Sequence, residues 1–453
     1  MAMEKLRPMA RLRVLCAIAA VGFASRAGGL FAQAAAQQPA SSTKPHHHVQ
    51  VEDDGSTSPD LSRATELIEK NDFAAAEPLL QKATATDPHN YVAWFDLGFV
   101  ENALGKMDDS IAAYRKSVEA KPTVFESNLN LGLQLAKTHN PEAEKFLRAA
   151  TSLTPEKNAS QGQAAAWISL GHLLEKSKPD DALAAFEKAE ALSPTDPEPH
   201  LSAGPLLESA SRFADAESEY KRAQALDPKN VDATIGLANL YMRGRRFPDA
   251  AQQLKTLIAA QPQSEAAHLQ MARVLAAQEN YSEAVGEFQT AIKIAPNDTV
   301  AQRELADVLA LGGKYDQAEA AYRALLAERG NDPELHRGLG QALLKQKKFP
   351  EAQDEFLKTV QLKPDYGEAY GDLAFAASEN KNYPLTLKAL DFRAKSLPEV
   401  PVTYFLRASA LDHLRQYKPA AANYHLFLDS AHGRFPDQEW QAQHRLITIE
   451  PKK

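Results

Sequence analysis

Residues 88–122 read PHNYVAWFDLGFVENALGKMDDSIAAYRKSVEAKP, opening and closing on prolines 34 positions apart. Between them, apolar residues recur at three- and four-residue steps, the spacing of one buried helix face. Gly105 interrupts the pattern halfway and divides the stretch into two helices of about a dozen residues, too short to persist without packing partners. Proline ends the second helix, because it has no N–H to donate and its ring clashes with the preceding turn.

The phrase returns along the chain. Pro194, Pro228, Pro262 and Pro296 follow one another at intervals of 34, Pro364 and Pro398 keep the register, and Gly330 stands at the skipped place. A second series holds only small residues: Ala64, Gly98, Gly132, Gly171, Gly204, Ala238, Ala272, Ala306, Gly340, Ala374 and Ala408. Twelve residues beyond each small site (eleven in the third and fourth units) lies a second one, from Ala76 and Ser110 to Thr386 and Ala420. Four residues further on comes a large apolar group, such as Tyr114, Leu147, Phe186 or Phe356. Two helices joined by a tight turn must cross closely. Small residues at the crossing let the backbones approach, and the large residue fills the space between that pair and the next. A fixed period of this length marks stacked helix pairs, each burying its apolar face only against its neighbours.

These residues resemble the tetratricopeptide repeat (TPR). Trp94-x-x-Leu97-Gly98 and Trp167-x-x-Leu170-Gly171 are similar to its opening signature, and Ala182, Phe186, Ala189 and Pro194 to its closing half. The resemblance covers about Thr57 to Arg434 in eleven units. It implies an all-α, right-handed α-solenoid whose concave wall is built from the first helix of every unit. It also implies a protein-interaction scaffold, with no particular partner.

The departures shape the expected domains. The third and fourth units each lack one residue between their helices, Asn158 to Gln163 is inserted between those units, and Pro205 falls inside the first helix of the fifth. Pro155 to Arg212 therefore reads as an irregular seam between a four-unit stack over 57–196 and a seven-unit stack over 197–434. The tenth unit is loose, with Thr386 at an alanine site and Arg393 at an apolar one. After the last unit, 435–453 reads as a capping helix and tail, with Trp440, Leu446 and Ile447 covering the final core.

The first 34 residues read as an address. Lys5, Arg7, Arg11 and Arg13 precede an apolar run from Val14 to Ser25 and a small-residue stretch around Ala32-Gln33-Ala34, the order of a cleaved secretory signal. An uncleaved anchor over residues 14–36 stays open. The only cysteine, Cys16, would leave with a cleaved signal, which suits an oxidising compartment. Residues 35–56 form a polar linker holding His46-His47-His48, a solvated tract with no further metal ligand set nearby. The protein is expected to be exported, periplasmic or secreted.

The 453 residues carry 51 Lys and Arg against 59 Asp and Glu, a formal charge of −8, which argues against nucleic-acid binding. No metalloprotease, phosphate-loop or hydrolase motif is present. Gly338-Leu-Gly340 lies inside a helix pattern and reads as packing. No catalytic residue, cofactor or metal is expected, and no membrane contact unless the N-terminal segment remains. His200, His268 and His336 recur every 68 residues at the place of Trp94 and read as structural.

The candidate partner-binding residues lie on the inner wall. Its first half is apolar: Phe95, Phe99, Leu129, Leu133, Ile168 and Leu201, either a docking strip or a wall packed on its own neighbours or on the linker. Its second half holds Asn239, Arg243, Arg273, Arg303, Asp307, Arg337 and Gln341. These arginines either grip a partner's carboxylates or pair locally, as Arg303 and Asp307 can on one helix face. The family's peptide-carboxylate clamp is not carried over: Asn130 supplies one element, but Phe95 and Phe99 occupy the preceding helix's places. The chain is thus expected to bind protein or peptide segments without catalysis. The alternative is an accessory component of an envelope glycan or secretion machine.

Overall fold

The computed structural model describes residues 58–156 and 158–450. The expected signal, Cys16 and the histidine tract lie outside them. The described residues form 23 helices and no strand: eleven helix pairs, from Pro59–Glu69 with Phe73–Thr86 to Pro401–His413 with Tyr417–Ala431, and a final helix Pro436–Ile449. No described helix is long and apolar enough to cross a membrane. The pairs fall into two compact units that part between Arg245 and Arg246, in the turn of the sixth pair. Within each unit consecutive helices pack on one another in chain order.

The small sites sit where the sequence pattern requires. All six alanines of the first series have no exposed surface. A Cβ built on Gly98 would meet Tyr114 at 2.9 Å, one on Gly132 would meet Leu147 at 2.8 Å, and one on Gly340 would meet Phe356 at 2.7 Å. In the five repeats with glycine at this site, the large residue of the second helix therefore lies over the small residue of its own first helix. It also touches the next pair: the Tyr220 ring covers Gly204 and Gly236 together, and Tyr322 covers Gly338. The second small series is equally closed, and where serine replaces alanine the Ser110 hydroxyl donates to the Gly98 carbonyl at 2.7 Å.

The turns explain how short helices end on register. The residue seven beyond the small site has positive φ in ten of the eleven pairs, from Asn71 at 58° to Arg415 at 62°. Only Gly105 and Gly313 among them are glycine, so the other eight hold a backbone that L-residues seldom adopt. The following N–H reaches back five residues, as from Asp72 to Leu67 and from Lys348 to Leu343, closing the first helix with a Schellman-type bond. The fourth pair lacks one residue and has no such φ; there Lys178 N–H bonds Leu174 instead.

A second periodic contact explains the signature tryptophan. Trp94 Nε1 donates to the Pro88 carbonyl at 3.0 Å, and the same six-residue step is taken by Asn128, His268, Gln302 and His336 to residues 122, 262, 296 and 330. In these five repeats Trp, Asn, His or Gln places a side-chain nitrogen against the loop carbonyl. His268 and His336 turn their other nitrogen, and His200 its Nδ1, to a glutamate on the second helix at 2.6 Å.

Three expectations change. Pro205 lies inside the continuous helix Glu198–Ser209, so the helices do not break at that seam. In the tenth pair Thr386 is fully buried, its hydroxyl bonded to the Asn382 carbonyl, while Arg393 ends its helix early and donates to Pro398. On the final helix Gln438, Ala442 and Leu446 face the core, whereas Trp440 and Ile447 are 59% and 68% exposed. Trp440 stacks on His444 at 4.0 Å instead. Residues 438, 442 and 446 share one stripe at four-residue steps, and positions 440 and 447 lie off it.

Gly340→Val is expected to destabilise the chain by about 1–3 kcal/mol through overpacking against Phe356. Gly286→Ala, in a helix with nothing within 4 Å of the added carbon, is expected to stabilise it by about 0.5–1 kcal/mol. Urea unfolding midpoints check both; equal effects would contradict the packing described.

Candidate functional site

Within each unit the first helices of neighbouring pairs touch, and their shared side is the inner wall. Its expected apolar strip is largely core. Phe95 and Leu129 have no exposed surface, and Phe99 and Ile168 are buried as well. Phe95 packs on Tyr114 at 5.5 Å and Phe99 on Phe73 at 5.9 Å. Leu133 and Leu201 are half-buried. Rings from second helices thus close over the strip: Tyr114 stands on Met107–Ala120 and Phe73 on Phe73–Thr86.

The arginines are also spent inside the protein. Arg273 makes a two-pronged contact with Glu304 of the next pair, Nε to Oε2 at 2.8 Å and Nη2 to Oε1 at 2.9 Å, and bonds Gln270. Arg337 is buried and donates to Asp372 at 2.7 Å, to the Tyr366 hydroxyl at 2.7 Å and to Glu368 at 2.9 Å, with its guanidinium over the Tyr366 ring. Gln341 joins the same Asp372 oxygen at 3.1 Å. Two of the expected partner-gripping arginines therefore stitch successive pairs together. Asp307 receives the Tyr322 hydroxyl, and Arg303 and Asn239 are half-buried. Arg243 is exposed and lies over the Phe213 ring at 5.2 Å.

What sequence reasoning missed is a set of polar atoms in the second and third pairs. Asp96 Oδ2, Glu101 Oε2, the Tyr114 hydroxyl, Asn130 Oδ1 and Gln134 Oε1 are buried with no hydrogen-bond partner. All five residues are more than nine-tenths buried. Buried polar groups are nearly always paired, so five orphans in adjoining pairs are unusual. Asn130 and Gln134 lie one turn apart on Phe125–Lys137. Their amide nitrogens are already used, by the Glu126 carbonyl at 2.9 Å and by Asn102 Oδ1 at 2.8 Å on the preceding first helix. Tyr114 lies against Gly98, and burial, with smaller contributions from Asp96 and Glu101, pushes its hydroxyl pKa up. Burial raises Asp96 to about 8 and Glu101 to about 7, the latter helped by Asp109 and Glu77 and opposed by Lys106. The one signal in the sequence is an acid two residues before a small site, as at Asp96, Glu304 and Asp372.

Two family models, both described as tetratricopeptide repeat, match the chain over residues 61–124 and 171–231 and over 207–274, 275–342 and 309–373, together more than half of it. The chain belongs to the tetratricopeptide repeat family. TPR folds mediate protein–protein interactions, and members of the family are generally non-catalytic scaffolds. A curated relative, the protein CTR9 homolog of Arabidopsis thaliana, is 34% identical over 113 residues, 24% of this chain and 10% of that protein. The chain therefore aligns with about a tenth of that relative's length. Among solved structures, a TPR protein from Parabacteroides merdae is 19% identical with a TM-score of 0.42, covering 56% of this chain and 98% of that one. YrrB, described as a TPR protein with an unusual peptide-binding site, is 22% identical with a TM-score of 0.36, covering 41% and 96%.

The two buried acids give the TPR chain an inverted pH response. In the native state Asp96 keeps its proton up to about pH 8, whereas the unfolded chain releases it near 4. The native state binds more protons across that window, so this contribution to stability is full at low pH and falls as pH rises toward 8. Asp96→Asn is expected to lose less stability than the parent between pH 5 and pH 8, measured by urea midpoints; parallel losses would contradict the assignment.

Proposed function

We propose that this TPR protein is a non-catalytic scaffold that binds protein or peptide segments along the inner wall of its first helices. The observation that carries the reading is that Asn102, Leu133, His172, Leu201 and Asn239, on the first helices of successive repeats, are half-buried. These residues stand on successive repeats of one unit, and none is enclosed as Phe95 or Leu129 is. An extended peptide advances about 3.3 Å per residue, so a segment of ten or more residues would engage several repeats. The basic start, the apolar run Val14 to Ser25 and Ala32-Gln33-Ala34 lead us to read this scaffold as exported.

Affinity on such a wall comes from a few desolvated anchors, with the remaining contacts supplying fit. Photo-reactive phenylalanine analogues at Leu133, Leu201 and Asn239 are expected to cross-link a partner in cells. The same group at Lys116, Lys188 and Lys255, exposed on second helices, is expected not to. Mass spectrometry of the adducts checks this; cross-links from the second helices alone would contradict the inner-wall reading.

A further inference from the structure

We propose that the inner wall of the second and third repeats is a socket for a basic side chain, lysine or arginine, brought in by a bound peptide segment. The inference rests on the groove reading above and specifies the chemistry of the guest.

Three acids in the chain stand two residues before a small site: Asp96, Glu304 and Asp372. Glu304 is held by Arg273, which sits one residue after the small site of the preceding repeat, and Asp372 by Arg337, three residues before it. Both arginines are on the preceding first helix. The corresponding places before Asp96 are Thr65 and Leu61. The chain thus builds the acid half of the same contact three times and supplies its cation twice. In the repeats that have one, a long cationic side chain fits this register while largely desolvated.

The surrounding atoms select the same chemistry. The amide nitrogens of Asn130 and Gln134 each have a partner within the protein, whereas their oxygens have none. With the two carboxyls, four acceptors stand unpaired, and an ammonium or guanidinium is a group that offers several donors together with positive charge. Lys106, the cation nearest Glu101, is already held by Glu77 at 2.6 Å and 2.7 Å. Water would satisfy hydrogen bonds there and supply no counter-charge to the Asp96 carboxylate once it ionises. Among the described residues no group of three or more His, Cys, Asp or Glu is placed to hold a metal ion.

Occupation by a cation lowers the pKa of both acids, because a nearby positive charge favours the carboxylate. Asp96 faces the Tyr114 hydroxyl; Glu101 faces Tyr114, Asp109, Glu77 and Lys106. Binding therefore releases protons, and affinity for a basic peptide rises from pH 6 to pH 8.5.

The test pans a display library of random twelve-residue peptides on the full chain, beside the Asp96→Asn/Glu101→Gln double variant. The expected result is enrichment of lysine- or arginine-bearing peptides on the parent. A selected peptide should bind the double variant about tenfold more weakly or worse, and its affinity for the parent should rise with pH. Thr65→Arg supplies a second arm: it places an arginine where Arg273 stands relative to Glu304. It is expected to raise the melting temperature at pH 8 and to compete out basic peptides. Enriched peptides with no excess of basic residues would overturn the socket and leave the groove reading standing. A library from which nothing is enriched would overturn both. Equal binding to the parent and to both variants would overturn the socket.

Discussion

The structure depends on one contact made in every repeat: a large side chain of the second helix laid over a residue with little or no side chain on the first. Phe186 on Gly171, Phe356 on Gly340 and Tyr220 on Gly204 are the same event. A helix of about thirteen residues is marginal alone, and the contact gives each pair its crossing distance. Because Tyr220 and Tyr322 also cover a glycine of the next repeat, the contact that makes a pair also makes the stack. The left-handed turn residues then hold the two helices to a fixed offset, so the large side chain arrives over the small one each time.

The polar groups follow from the same regularity. Four residues before the small site, Trp94, Asn128, His268, Gln302 and His336 each bond the loop carbonyl six residues back. The acids of the eighth and tenth repeats, Glu304 and Asp372, are answered by arginines one repeat back. In the second repeat the acid is present and the arginine is absent, so Asp96 is buried without a partner. Among the described residues, five of the seven buried side-chain atoms without a partner lie in the second and third repeats, so that is the place to look for a guest.

Period and register were legible in the sequence because they are carried by residue size: Gly or Ala at one place, a large apolar group sixteen residues on, proline at the end. The candidate site was much less so. Position alone assigned Phe95, Leu129 and Arg337 to the groove, yet burial depends on the neighbouring helix. Phe95 is closed over by Tyr114, and Arg337 is claimed by Asp372, Tyr366 and Glu368, contacts 19 to 35 residues away. The final helix shows the same limit on a smaller scale. Its amphipathic character was readable, but which stripe turns inward was set by the last pair, and Ala442 and Leu446 took the core while Trp440 stayed outside. The orphan acids were invisible until the preceding first helix was known to offer them no cation.

The most direct test is a double-mutant cycle on the fourth repeat, Gly171→Ala with Phe186→Leu, followed by urea unfolding. Alanine is the better helix former, so only the ring above it makes the change costly. Gly171→Ala is expected to destabilise the parent and to be neutral or stabilising in the Phe186→Leu background, with a coupling of about 1 kcal/mol or more. Additive effects, with alanine equally costly under leucine, would show that the small residue is not there to receive the large one.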